Sequence, residues 1–223
     1  MNKLIFAILL FACQFAISQI EKHPGDFTKV SSYDQIDVLL IAADETKVIL
    51  SGKNSEEVEV VNNNGELKLR MPLKKLLKGD DVSATVFYKE IDAVEANEGS
   101  RISSEDVFKG TGFNINATAG SEVKLKLDVE KVETKGMAGS KIDLEGNAKT
   151  QDVVLNSGAV LKAEKLITDQ TTIAVNAGGE ADVNATELVD AKVRAGGKIL
   201  IYGKPKKINK KTLAGGKIRE YDE

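Results

Sequence analysis

Gly99-Ser100-Arg101-Ile102, Gly120-Ser121-Glu122-Val123, Gly139-Ser140-Lys141-Ile142, Gly158-Ala159-Val160-Leu161, Gly178-Gly179-Glu180-Ala181, Gly196-Gly197-Lys198-Ile199 and Gly215-Gly216-Lys217-Ile218 repeat one pattern: glycine, a small residue, a variable residue, an apolar residue. The gaps between leading glycines are 21, 19, 19, 20, 18 and 19 residues. A period in this range predicts stacked coils rather than a globular enzyme fold.

Aligning the coils on these glycines exposes columns. Three residues after the glycine stand Ile102, Val123, Ile142, Leu161, Ala181, Ile199 and Ile218; five after it stand Ser104, Leu125, Leu144, Ala163, Val183 and Ile201. Five residues before it stand Val94, Ile115, Thr134, Val153, Ile173 and Ala191; three before it stand Ala96, Ala117, Gly136, Leu155, Val175 and Val193. A spacing of two places each pair on one face of a strand. Each coil therefore offers two short inward strands flanking a glycine corner, with a looser third side at Val107, Val129, Leu166 and Leu188. Stacking buries each column on its copies in adjacent coils.

The leading glycines Gly99, Gly120, Gly139, Gly158, Gly178, Gly196 and Gly215 are read as structural. A sharp corner needs positive φ, which glycine adopts at least cost. Asn97, Asn156 and Asn176 two residues earlier also suit turn conformations. The variable columns alternate in sign: Lys124, Asp143, Lys162 and Asp182 in one, Arg101, Glu122 and Lys141 in another. Such alternation is expected of a solvated face avoiding like-charge neighbours.

Residues 20–96 read as short strands: Phe27-Ser31, Ile36-Ile41, Lys47-Leu50, Val58-Val61, Glu66-Met71, Val82-Tyr88 and Ala93-Ala96. Asn64-Gly65 is a hairpin signal. Leu73-Lys78, after Pro72, reads as a loop. With 5% aromatics and no Trp, the core is expected to be aliphatic.

Residues 1–18 read as a signal peptide: Lys3, the apolar run Leu4 to Ala16, then small residues at Ala16 and Ser18. The domain expectation is a strand-rich part over 19–96, continuous with solenoid repeats and a basic closing segment over 97–223. No later segment is apolar enough for a transmembrane helix. The single cysteine, Cys13, lies in the leader. Soluble export to the periplasm, outer-membrane surface or exterior is favoured over a lipid anchor at Cys13.

The leader, the opening strands Phe27-Thr28-Lys29-Val30 and Ile36-Asp37-Val38-Leu39-Leu40, the pair Val58-Glu59-Val60 and Asn64-Gly65-Glu66-Leu67-Lys68-Leu69, and the Gly-Ser repeats resemble the putative auto-transporter adhesin, head GIN domain family. That resemblance covers nearly all of the chain after the leader. It implies an all-β, right-handed parallel β-helix-like solenoid of exported bacterial proteins. It implies no established activity and no catalytic residues.

Chemistry is sparse. His23 is the sole histidine and lies near the expected cleavage point, so histidine-based triads and metal sites are poorly supported. The glycine pairs lack phosphate-loop spacing. Glu187 and Asp190 could flank Ca²⁺, but the dense Gly/Asp nonapeptides of a calcium roll are missing. No catalytic residue, cofactor or metal is expected. The full chain has a formal charge of −3, yet residues 198–219 hold eight cations and no acid. Lys204, Lys206, Lys207, Lys210 and Lys211, with Tyr202 and Tyr221 as stacking groups, are the candidate binding residues for glycan or envelope surface. The competing reading is a charged last edge that deters strand pairing. Nucleic acid is disfavoured by net charge and few aromatics. The expected function is a non-enzymatic exported envelope or surface protein, adhesin-like in binding. A polysaccharide-acting enzyme and a self-associating scaffold are the alternatives, and the oligomeric state is open.

Overall fold

The computed structural model describes residues 19–221. The expected signal peptide, with Cys13, and residues 222–223 lie outside the described residues. The strands are β1 (Ile20–Lys22), β2 (Lys29–Ser32), β3 (Asp37–Ala42), β4 (Lys47–Gly52), β5 (Glu59–Asn63), β6 (Glu66–Arg70), β7 (Val82–Tyr88) and β8 (Ala93–Ala96). They continue as β9 (Arg101–Ala117), β10 (Glu122–Gly136), β11 (Lys141–Leu155), β12 (Val160–Asn176), β13 (Glu180–Arg194), β14 (Lys198–Tyr202), β15 (Lys207–Leu213) and β16 (Lys217–Glu220). All belong to one sheet, wound as a β-solenoid of about seven coils.

From β9 to β13 each coil is a single long strand that bends around the core and pairs in parallel with its copies on either side. The two halves form two walls: the first half of β13 pairs β14, and its second half pairs β15. The four aligned columns are the core. Leu125, Leu144, Leu155, Leu161, Val175 and Val183 are among its fully enclosed side chains. The expected third side is a bend with register shifts, as between Asp143 and Glu145 and between Ala163 and Ile167. These irregularities absorb the unequal coil lengths. A bulge also shifts the in–out alternation by one residue. In β12 this brings Leu166 inward, whereas the two extra residues of β9 keep Ile102, Ser104 and buried Phe108 in phase, so Val107 points outward, 49% exposed. Leu188 is half-buried, while Val129 and Leu166 are buried.

Each corner has two left-handed residues. Ala119 (φ 53°) and Gly120 (φ 74°) are typical, and Ser121 N–H closes the turn on Thr118 O at 3.2 Å. Two successive positive φ values mark a type I′ turn. The sequence reading assigned that conformation to the glycine and missed the alanine before it. The asparagines occupy the first turn position, where Asn97 O and Asn156 O accept the closing bond. Corners also stack: Gly120 N–H donates to Ala138 O at 3.0 Å, so the ladder runs through the turn.

The N-terminal part winds out of chain order. β2 lies between β6 and β8, and β3 between β7 and β9. Its corner contains no glycine: Asp34 and Gln35 both have positive φ, and Ile36 N–H bonds Tyr33 O at 3.2 Å. The buried Asp34 carboxylate accepts the N–H groups of Met71 and Leu77, each at 2.9 Å, and so ties down the loop above it. Within that loop Leu73–Lys75 makes one 3₁₀ turn. The Asn64-Gly65 hairpin joins antiparallel β5 and β6. The core is aliphatic through most coils, but inside the N-terminal ones Tyr88 stacks on Phe108 at 5.4 Å and Phe108 meets Phe113 at a tilt, 5.0 Å apart.

Candidate functional site

The predicted binding residues fall in the coil of β14 and β15, with Tyr221 just after β16 stacked over it, but they do not form one patch. Strand alternation sorts them. Along β15, Ile208, Lys210 and Thr212 are in register with buried Val189, Ala191 and Val193, whereas Lys207 and Lys211 stand on the outward face over Leu188 and Lys192. Lys210 therefore turns toward the open end of the core. Its Nζ lies 2.6 Å from Glu220 Oε1, itself in register with buried Ile201. Lys206 pairs with Glu187 at 2.7 Å, and Lys204 is exposed in the turn after β14.

Tyr202 stacks on Tyr221 with centroids 4.5 Å apart. Burial, then the nearby carboxylates of Asp182 and Glu164, push the Tyr202 hydroxyl above its ordinary pKa. Burial, reinforced by Glu164, likewise raises the Asp182 carboxyl. This end of the first wall is thus aromatic and acidic, distinct from the cationic outward face of β15.

On the second wall, Lys211 joins Lys192 and Arg194 around a groove of about 350 Å³ that also includes Asn176 and Leu213. Asp190 lies 3.5 Å from Lys192. Lys192 and Arg194 were absent from the sequence-predicted set. Their signal was available: counting back from the next glycine places both in outward columns directly beneath the basic segment. The acids considered for calcium lie against lysines, Glu187 beside Lys206 and Asp190 beside Lys192. His23 is exposed, 3.1 Å from Glu21.

A larger groove of about 560 Å³ crosses the first wall over β7, β3, β9, β10, β11 and β12. Here the charge columns pair as neighbours: Lys141–Glu122 at 3.0 Å and Arg101–Asp37 at 3.2 Å. Beside it Lys126–Glu105 and Lys165–Glu145 close at 2.6 and 3.1 Å. Among the described residues, no group of three or more His, Cys, Asp or Glu side chains is arranged to hold a metal ion.

The sequence pattern described as putative auto-transporter adhesin, head GIN domain matches residues 26–205. The chain belongs to this family. The head GIN domain match ends at Pro205, so the cations of β15 lie just beyond it. The fold is similar to a crystal structure described as a putative adhesin from Bacteroides fragilis NCTC 9343, with TM-score 0.84 and 17% identity over 92% of this chain and 96% of that one. A putative adhesin from Parabacteroides merdae ATCC 43184 gives TM-score 0.68 at 16% identity, with the same shares covered. A protein of Parabacteroides distasonis ATCC 8503 described as a putative lipid binding protein gives 0.69 at 15%, again over 92% and 96%. At these identities the likeness is one of fold. No curated protein matches the sequence. Among the described residues of this head GIN domain chain, no helix is long and apolar enough to cross a membrane.

Proposed function

We propose that this protein is a non-enzymatic, exported binding module that holds an anionic glycan or envelope component against the outward face of its last coil. One observation carries the reading. On the first wall cations stand in register with acids, as Lys141 does with Glu122 and Lys165 with Glu145. On β15, Lys207 stands over Leu188 and Lys211 over Lys192, so the preceding coil offers no acid in register. Arg194 adds a third charge to the Lys192–Lys211 groove. Asp190 pairs with Lys192, and the remaining charges of Lys207, Lys211 and Arg194 attract multivalent anions, more strongly at low salt. Membership of a family described as adhesins supports surface binding. The lipid-binding description of one similar structure makes lipid headgroups a useful arm of the test.

The test is binding of the purified protein to arrays of sulfated and carboxylated glycans and to vesicles with and without anionic lipid. A Arg194→Glu/Lys207→Glu/Lys211→Glu variant runs beside it. The expected result is a salt-sensitive anionic hit that the variant loses. Absence of binding by the folded wild-type protein, or the lack of any anionic hit that the variant loses, overturns the reading.

A further inference from the structure

We infer that the concave first wall is a separate binding site for an extended acidic polysaccharide, laid along the solenoid axis with Lys124 and Lys162 receiving its acidic groups. The site is independent of the last coil: it lies on the other wall and shares no residue with the Lys192–Lys211 groove. Its groove crosses six strands. At about 4.8 Å per strand this gives a path of roughly 24 Å, long enough for several sugar rings.

Two outward columns line the groove. In the first, Arg101–Asp37 and Lys141–Glu122 are already paired and leave little free charge. In the second, Ser103, Lys124, Asp143 and Lys162 follow one another in register. Among the described residues, neither Lys124 nor Lys162 makes an ion pair, although Asp143 lies between them. The two lysines, in register with Asp143 but not closed onto it, recur every second coil, about 9.6 Å apart. That distance is close to the advance of one disaccharide in an extended pyranose chain.

A polymer with one acid on every second sugar would place successive acids on Lys124 and Lys162. The intervening sugar would meet Asp143, whose carboxylate accepts hydroxyl groups and repels a further acid. Ser83, Thr85 and Ser103 supply more hydroxyl partners, and the 41% exposed Leu39 offers an apolar contact for a ring face. Beyond Lys162 the column passes to Asp182 beside Glu164, which repels an anionic chain and limits the site on that side, before continuing to Leu200. Among the described residues no aromatic side chain lines the groove, so it lacks the stacking platform that single-stranded nucleic acid uses.

Calorimetric titration of the purified protein tests the inference with three hexasaccharides. One carries a carboxylate on alternate sugars (a hyaluronan fragment), one on every sugar (an oligogalacturonate), and one is neutral (chitohexaose). The alternating chain is expected to bind most tightly. Lys124→Gln/Lys162→Gln should weaken it by about tenfold or more, as for two lost charge-assisted contacts. Lys124→Arg/Lys162→Arg should keep it, and Lys207→Glu/Lys211→Glu should leave it unchanged. The inference is overturned if the alternating chain does not bind, if the glutamine variant binds it as well as wild type, or if the fully carboxylated or neutral chain binds equally. Loss only in the Lys207/Lys211 variant would also overturn it, assigning the acidic glycan to the last coil instead.

Discussion

At the N-terminal end of the solenoid, β4 lies antiparallel on β7 and β1 lies antiparallel on β4, enclosing Val48 and Leu50 completely. At the C-terminal end, β15 and β16 pair only with the coil before them, and their core-facing positions pass from Ile208 and Ile218 to Lys210, Thr212 and Glu220. A stack of coils must end somewhere, and an exposed edge over an apolar core invites another strand. One end solves this by covering the core with extra strands that reverse direction. The other lets the core run out, replacing apolar side chains with an ion pair across the opening. The difference teaches that the cationic segment has two jobs divided by strand alternation. Its inward residues finish the core, and its outward residues, Lys207 and Lys211, are those proposed to meet a partner.

The same substitution at the two ends separates them most sharply. Gly52, at the end of β4, has φ +97°, and a Cβ there would sit 1.9 Å from Asp81 O. Gly215, in the last corner, has φ +86° with nothing within 4 Å of such a Cβ. Gly52→Ala should lower stability by more than about 2 kcal/mol, since backbone overlap adds to left-handed strain. Gly215→Ala should cost about 1–2 kcal/mol from strain alone. Urea unfolding of both variants checks this, and equal losses would break the distinction between a packed end and an open one.

Acid should act on the covered end through Glu66 in β6. Burial would raise this carboxyl, but bonds from Ser31, Lys29 and Lys68 outweigh it and hold the pKa at about 2, against an ordinary 4.5. Ser31 Oγ, Lys29 Nζ and Lys68 Nζ lie 2.6, 2.9 and 3.0 Å away. A depressed folded-state pKa adds stability that is fully present above pH 4.5 and fades as pH falls toward 2. Unfolding midpoints should therefore drop across that window in the wild type and fall less steeply in Glu66→Gln. Parallel slopes would show that this cluster does not steady the N-terminal coils.

The smallest change in stability, but not in behaviour, is expected at Lys210 and Glu220. Both are partly exposed, with side chains 37% and 55% accessible. Lys210→Ala should cost at most about 1 kcal/mol. Lys210→Val/Glu220→Val would instead extend the apolar columns to the open end, and light scattering should then report concentration-dependent association. A variant that stays monomeric at high concentration would show that the pair does not guard the edge.

Much of the repeat was legible. Ile102, Val123, Ile142 and Leu161 were read as one inward column, and all are buried. Val107 was misread because it was grouped with Leu166: one extra residue in β12 turns Leu166 inward, but the two extra residues of β9 leave the alternation in phase and Val107 outward. The corner Tyr33–Ile36 escaped notice because Asp34 and Gln35 make the left-handed turn without glycine. The candidate site was legible only as composition. Eight cations in residues 198–219 announced a basic end. Which of them face a partner depended on strand phase and on acids distant in sequence, such as Glu187 for Lys206.

By itself the sequence determined the coil period, the glycine corners and the aligned apolar columns. These are local or periodic properties: two-residue alternation and positive φ act within a few residues, and copies of one coil can bury their small side chains only on one another. The tertiary structure decided which coil lies beside which. β2 sits between β6 and β8 because strands with similar patterns compete for the same parallel edge, and only long-range packing chooses among them. It also turned Lys210 onto Glu220 and placed Lys124 and Lys162 on one wall, either side of Asp143. Such assignments depend on residues in other coils, whose distances exist only once the chain is wound.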